Sequence, residues 1–171
     1  MRLLAGLFAL SLVAACAEEV PDYTHETPME NVAFSADGWT QEDGFADPDA
    51  VYTVAVTLIR VDEDPRSFSI RDHWTREILA GLGSVDGLIG HSVSVHDDDG
   101  SGYGDDDRWA WTYTVWRDEE SLGAFVESNL HQEGLPELGP RITDFSSGRW
   151  QVEARLIPEP WEMFWDRLEV R

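Results

Sequence analysis

Between residues 51 and 157 the apolar positions follow two alternating rhythms. Val51 to Val61 (VYTVAVTLIRV) is rich in β-branched residues and apolar at odd and even positions alike, the mark of a strand covered on both sides. Ser67 to Leu82 changes to a period near four: Ile70, Trp74, Ile78 and Leu82 form one stripe, Ser69 and Asp72 are candidate caps, and Gly81 and Gly83 supply a stop. Val85 to His96 returns to a strand, entered through Asp86-Gly87. Arg108 to Arg117 (RWAWTYTVWR) is a third, with Trp109, Trp111 and Tyr113 on one face. Asp118 is placed to cap a second helix whose stripe is Leu122, Phe125, Val126 and Leu130. In Arg149 to Ile157, Trp150, Val152, Ala154 and Leu156 alternate as a fourth strand. The order β-α-β-β-α-β predicts an α+β, ferredoxin-like antiparallel sheet with both helices on one face. Beyond Pro158 and Pro160, the spacing of Trp161, Phe164, Trp165 and Leu168 predicts a short C-terminal amphipathic helix that covers apolar surface.

The other end of the chain has a different character. Met1-Arg2, an apolar run from Leu3 to Val13, and Ala14-Ala15-Cys16 have the anatomy of an export signal over residues 1–15. The run is shorter than the roughly 20 apolar residues a permanent transmembrane helix needs. The cysteine after two alanines resembles the bacterial lipoprotein signal, which implies acylation of Cys16 and a place in the cell envelope; the alternative is an ordinary secretory signal with an incidental cysteine. Ala17 stands where an Asp would signal inner-membrane retention, so the outer membrane is preferred. Residues 17–50 hold Pro21, Pro28 and Pro48 among scattered acids and show no sustained apolar period, so residues 16–50 read as a lipidated cysteine and acidic tether ahead of a domain at 51–171. Val32, Phe34, Trp39 and Phe45 are the exceptions, expected to dock in part on that domain.

Charge then narrows the partners. The chain carries 34 Asp+Glu against 12 basic residues, every one an Arg, for a formal −22. Such a surface repels phosphate backbones, which argues against nucleic acid, and favours cations and solubility at high ionic strength. Six Asp fall within residues 97–107. Counted as a calcium loop, Asp97, Asp99, Ser101 and Asp105 fit the first, third, fifth and ninth positions, but Arg108 stands where a bidentate Glu is required. The loop therefore reads either as a calcium site or as a solvated hairpin loop; apart from calcium, no cofactor is implied. With a single cysteine, no intramolecular disulfide is available and the fold must rest on its core.

Thr114-Val115-Trp116, the acidic turn after it, Leu122, Phe125-Val126 and Ser128 resemble the antibiotic-biosynthesis-monooxygenase-like group of the dimeric α+β barrel superfamily. Strand one and Gly87-Leu88-Ile89-Gly90-His91-Ser92 fit the same pattern, with Asp86 where that family usually has Pro. The resemblance spans about Val51 to Ile157. It implies a homodimer whose two sheets close a barrel, which would also cover the second apolar face of strands one and three. It further implies a domain that binds, with or without oxidising, a small apolar or aromatic molecule; a non-catalytic envelope module with a structural barrel and an acidic cation- or partner-binding loop is the alternative. Haem-degrading members carry an Asn on strand one, a Trp on the second helix and an axial His near its end. Here Thr57, Phe125 and Leu135 stand in those places, which argues against haem degradation. His131 and His91 are the candidate proton-transfer residues, with Trp74, Trp111, Tyr113 and Trp116 as candidate ligand-stacking residues. The plainer alternatives are a helix-terminal His131, a core or interface His91, and core aromatics.

Overall fold

Strand β4 (Val51–Val61) is the spine of the sheet, paired antiparallel with β6 (Trp109–Trp116) on one side and β7 (Ile142–Glu153) on the other. With β5 (Leu88–Ser94) beside β6, the order β5-β6-β4-β7 is the ferredoxin-like arrangement. The computed structural model describes residues 21–95, 109–160, 163–164 and 167–170. The predicted signal peptide, Cys16, the acidic loop with Asp97, Asp99, Ser101 and Asp105, and the tail residues Trp161 and Trp165 lie outside these residues.

Helix α1 (Pro65–Leu82) follows β4. Its N-cap is Asp64, whose side chain accepts from the Arg66 amide, and Pro65 opens the first turn. The expected cap pair has other tasks: Asp72 sits mid-helix in a buried ion pair, and the Ser69 hydroxyl donates back to the Pro65 carbonyl. Gly87, with φ +82° in the turn before β5, lies so close to Ser121 that a Cβ there would meet its hydroxyl at 2.2 Å. Asp118 caps α2 (Glu119–Val126) as expected, accepting from the Ser121 amide at 2.8 Å. The second helix then breaks, because the Ser128 side chain accepts from the His131 amide and starts α3 (Asn129–Gln132); α4 (Leu135–Leu138) follows. Leu82, Leu122 and Phe125 from the helices bury against Trp116, so both main helices cover one face.

Two expectations change at the ends of the domain. Strand β7 begins at Ile142, well before Arg149, and stops at Glu153, where residues 154–156 form a 3-10 turn. Its first half carries few apolar residues and so lacks the alternation that marks its second half. Residues 21–50 are not a tether but part of the fold. Tyr23 stacks on His73 at 3.7 Å and donates to Glu137 at 3.1 Å. Glu26 meets His73 and Arg76, and the Met29 amide donates to Asp72 at 2.9 Å. Having crossed the helical layer, the chain adds β1 (Val32–Ala36) to the edge of β5 and turns into the hairpin β2 (Trp39–Thr40) and β3 (Gly44–Phe45) over the opposite face. The docking expected of Val32, Phe34, Trp39 and Phe45 is thus realised.

Cross-strand register separates the two faces, because directly paired residues point the same way. Ala55, Ile59, Ala110 and Trp116 meet the helices, whereas Val54, Val56, Leu58, Trp111, Tyr113 and Val115 face away from them. That second face is also buried, with Val54, Val56 and Val115 at 0% exposure. Phe34, Trp39 and Phe45 cover it from the N-terminal side, and Phe164 and Leu168 from the C-terminal side. The cover that a second copy was expected to supply comes from the chain's own ends. In the C-terminal segment the Arg167 and Leu168 amides donate to the Phe164 carbonyl, and β8 (Glu169–Val170) pairs with β7.

Buried Arg71 grips Asp72 through Nε at 2.9 Å and Nη2 at 2.7 Å, and its Nη1 donates to the Trp109 carbonyl. Removing the cation strands a carboxylate that also holds the Met29 amide, so Arg71→Met is expected to destabilise the domain by about 3–5 kcal/mol in urea denaturation. A loss under about 1 kcal/mol would mean the pair behaves like a solvated surface one.

Candidate functional site

The strand register does not bring the candidate residues into one site. Trp111 and Tyr113 lie on the face away from the helices, opposite Leu58 and Val56. His91 pairs with Thr114, and Trp116 packs among Leu82, Leu122 and Phe125, so both belong to the helical side. A full sheet stands between the two sets. Trp74 is in a third place, against α4, where its indole donates to Glu137 at 3.0 Å and its ring lies against Gly134.

His131 sits edge-on to Phe125, with 5.2 Å between ring centroids, and Phe125 stacks on Trp116 at 5.0 Å. Its Nδ1 is buried without a hydrogen-bond partner. Burial pulls its pKa below the ordinary histidine value, partly offset by a hydrogen bond to the Val126 carbonyl. Burial alone does the same to His91. The indole of Trp116 donates to the Thr114 hydroxyl at 2.9 Å, so the polar edge of this ring is spoken for within the sheet.

On the other face, Tyr113 is held between neighbours. Phe164 stacks on it at 5.3 Å and Phe34 meets it edge-on at 5.8 Å. Burial raises its hydroxyl pKa well above the usual tyrosine value, while the Glu159 backbone amide hydrogen-bonded to it works the other way. A phenol so enclosed serves packing and a structural hydrogen bond rather than acid–base chemistry near neutral pH.

Sequence reasoning passed over a groove of about 590 Å³ beneath the β2–β3 hairpin. Phe34, Trp39, Phe45 and Ile157 form its apolar walls, with Glu42, Asp43 and Arg155 among its polar lining. Phe34 and Trp39 meet edge to face at 5.0 Å. Arg155 is already engaged by Asp49 at 3.1 Å and by Glu153, which leaves the groove acidic in character. The only sequence signal for it was the set of aromatics in a stretch otherwise like a linker. Among the described residues no group of three or more acidic, His or Cys side chains is arranged to hold a metal ion.

The sequence matches no protein-family model and no curated protein. Solved structures do match. A protein from Shewanella oneidensis aligns with 70% of this chain and 97% of its own, at TM-score 0.50 and 9% identity. A putative monooxygenase from Lactobacillus acidophilus aligns at TM-score 0.48 and 12% identity over 63% of this chain, which spans about half (49%) of that protein. SnoaB, a cofactor-independent oxygenase from Streptomyces nogalater, aligns at TM-score 0.44 and 16% identity over 63% of this chain and 98% of its own. The shared property is the fold. Structures of this ferredoxin-like fold include monooxygenase-like proteins, at identities too low to carry chemistry across.

The two half-buried histidines make stability depend on pH in a definite direction. Their folded pKa values lie below the ordinary 6.5, so their contribution is complete above that value and is lost as the pH falls through the folded pKa. Imidazole titrations by NMR are expected to give midpoints below 6.5 for His91 and His131. Unfolding free energy is expected to drop as pH decreases below 6.5, with a shallower slope in His131→Gln. Midpoints above 6.5 would contradict the burial described above.

Proposed function

We propose that this chain is a lipid-anchored envelope protein whose ferredoxin-like domain binds a small aromatic or apolar molecule in the groove under the β2–β3 hairpin, without oxidising it. The groove carries the reading: its aromatic walls suit a flat ligand, and Glu42 and Asp43 favour one bearing a positive group. The arrangement of the candidates supports binding without oxygenation. No histidine is among the residues lining the groove. His91 and His131 belong to the helical side, and the aromatic face across the sheet is filled by Phe164.

The anchor rests on the Ala14-Ala15-Cys16 pattern, and the fold adds a geometric consequence. Because the chain is fastened to α1 from Tyr23 onward, few residues separate the proposed lipid from the folded part. At roughly 3.5 Å per extended residue they span on the order of 20 Å. The domain would then ride close to the bilayer, with several acyl chains giving stable attachment. Metabolic labelling with a palmitate analogue is expected to mark the protein and to fail with Cys16→Ser; an unlabelled, freely secreted wild-type chain would refute the anchor.

Calorimetry with naphthylmethylamine is expected to show binding that Trp39→Ala weakens at least about tenfold, the scale of one lost aromatic contact. Naphthoate, its anionic counterpart, is expected to bind far more weakly. Equal affinity for both, or indifference to Trp39→Ala, would move the ligand elsewhere. Oxygen uptake with anthrone-type substrates is expected to stay at the autoxidation rate; uptake abolished by His131→Gln would restore the oxygenase reading.

A further inference from the structure

The N-terminal segment fixes the side on which the proposed lipid joins the domain. Tyr23 is stacked on His73 of α1 and donates to Glu137 of α4, and Glu26 is paired with His73 and Arg76. The attachment point is therefore in the helical layer. The groove lies beyond the sheet, because Phe34, Trp39 and Phe45, which wall it, pack on the face that carries Val54 and Val56. Packed layers are spaced by about 10 Å, so roughly 20 Å of helix, sheet and hairpin separates the two. Residues 17–22 join Cys16 to Tyr23 and, at roughly 3.5 Å each, reach about as far at full extension. Turning the groove onto the bilayer needs all of that reach, and full extension costs conformational entropy at every residue. Laying the helical layer down needs almost none of it.

The surface beside the attachment point suits one kind of membrane. Leu135, 43% exposed, and the exposed Pro136 directly precede the Glu137 that holds Tyr23. Desolvation first, and then Glu137, Glu26 and Glu77, raise the Tyr23 hydroxyl pKa above its usual value, so carboxylates crowd this point. An apolar residue there gains by resting at the headgroup boundary. The carboxylates lose against anionic headgroups within a Debye length of about 8 Å, but not against neutral ones. We propose, resting on the lipid anchor inferred above, that α1 and α4 lie against the zwitterionic headgroups of the anchoring bilayer, with Leu135 at the boundary, and that the groove opens to water on the opposite side. The ligand of the groove is then a water-borne aromatic cation and not a molecule drawn from the lipid phase.

The test places the full acylated chain in vesicles of phosphatidylethanolamine and phosphatidylcholine, with a nitroxide on Leu135→Cys or on Gln41→Cys; both positions are exposed, and the lipid occupies Cys16. Power saturation at Leu135→Cys is expected to show greater access for lipid-soluble oxygen than for a water-soluble nickel chelate, and the reverse at Gln41→Cys. Added phosphatidylglycerol is expected to move Leu135→Cys toward the chelate. Naphthylmethylamine is expected to bind the vesicle-held chain and the unlipidated chain from Ala17 onward equally. Both labels in water, or Gln41→Cys in lipid, would overturn the proposal while the anchor stood. Binding lost only on vesicles would overturn it too. No binding in either form would sink the groove reading and the route drawn for its ligand, while the labels still decide the orientation. A chain that fails to float with the vesicles would sink the anchor, and this orientation with it.

Discussion

Strand β4 sets the terms for the whole molecule. Val54, Val56 and Leu58 point one way while Ala55 and Ile59 point the other, so no arrangement can leave either side of the central strand in water. Two helices satisfy one side. The other is met by material from both ends of the chain: an edge strand and hairpin before β4, and a packed segment after β7. The four-stranded core alone would be a half-covered sheet. The additions at either end make it a closed body.

Polar contacts fasten those additions, and arginine supplies several of them. Arg76 holds Glu26 of the N-terminal segment against α1, Arg155 reaches Asp49 just ahead of β4, and Arg167 anchors Glu159. Their surroundings decide their weight. Arg117 with Asp86 and Asp118 is exposed and contributes little once salt screens it. Arg71 with Asp72 and Arg167 with Glu159 place carboxylates where water is scarce, and there the planar guanidinium also donates to a second acceptor or lies over a ring. In a chain with 34 acids and 12 arginines, Arg76, Arg155 and Arg167 each pair an acid of a terminal segment or its flank.

Much of the core was legible because its elements bury long stripes. The bounds of β4 match its apolar run, Ile70 and Leu82 of the α1 stripe are buried, and Leu122 and Phe125 of the α2 stripe are too, whereas Val126 is exposed and Leu130 falls in α3. The N-terminal segment was misread because individual contacts hold it, such as Tyr23 on His73 and the Met29 amide on Asp72, and neither leaves a period in the sequence. The first half of β7 escaped for a related reason, being a polar stretch recruited by pairing with β4. The candidate site failed on parity. Trp111 and Tyr113 are odd-numbered and Trp116 is even, which in one strand puts them on opposite faces. For His91 the face depended on an irregularity in register between Leu88 and Gly90, visible only once the strands are paired.

The same division of faces bears on what a fold of this kind can do in this chain. A sheet that places His91 and His131 on one side and Trp111 and Tyr113 on the other cannot present both sets to one small molecule. With Phe164 stacked on it and Phe34 edge-on to it, Tyr113 is enclosed and leaves no room for a ligand against its ring. The added pieces create a concave surface of their own. The β2–β3 hairpin creates one, because its turn stands off the core far enough to leave a groove while Phe45 keeps its base buried. Segments that shield β4 fill the second face of its sheet and, in doing so, form a groove at the rim.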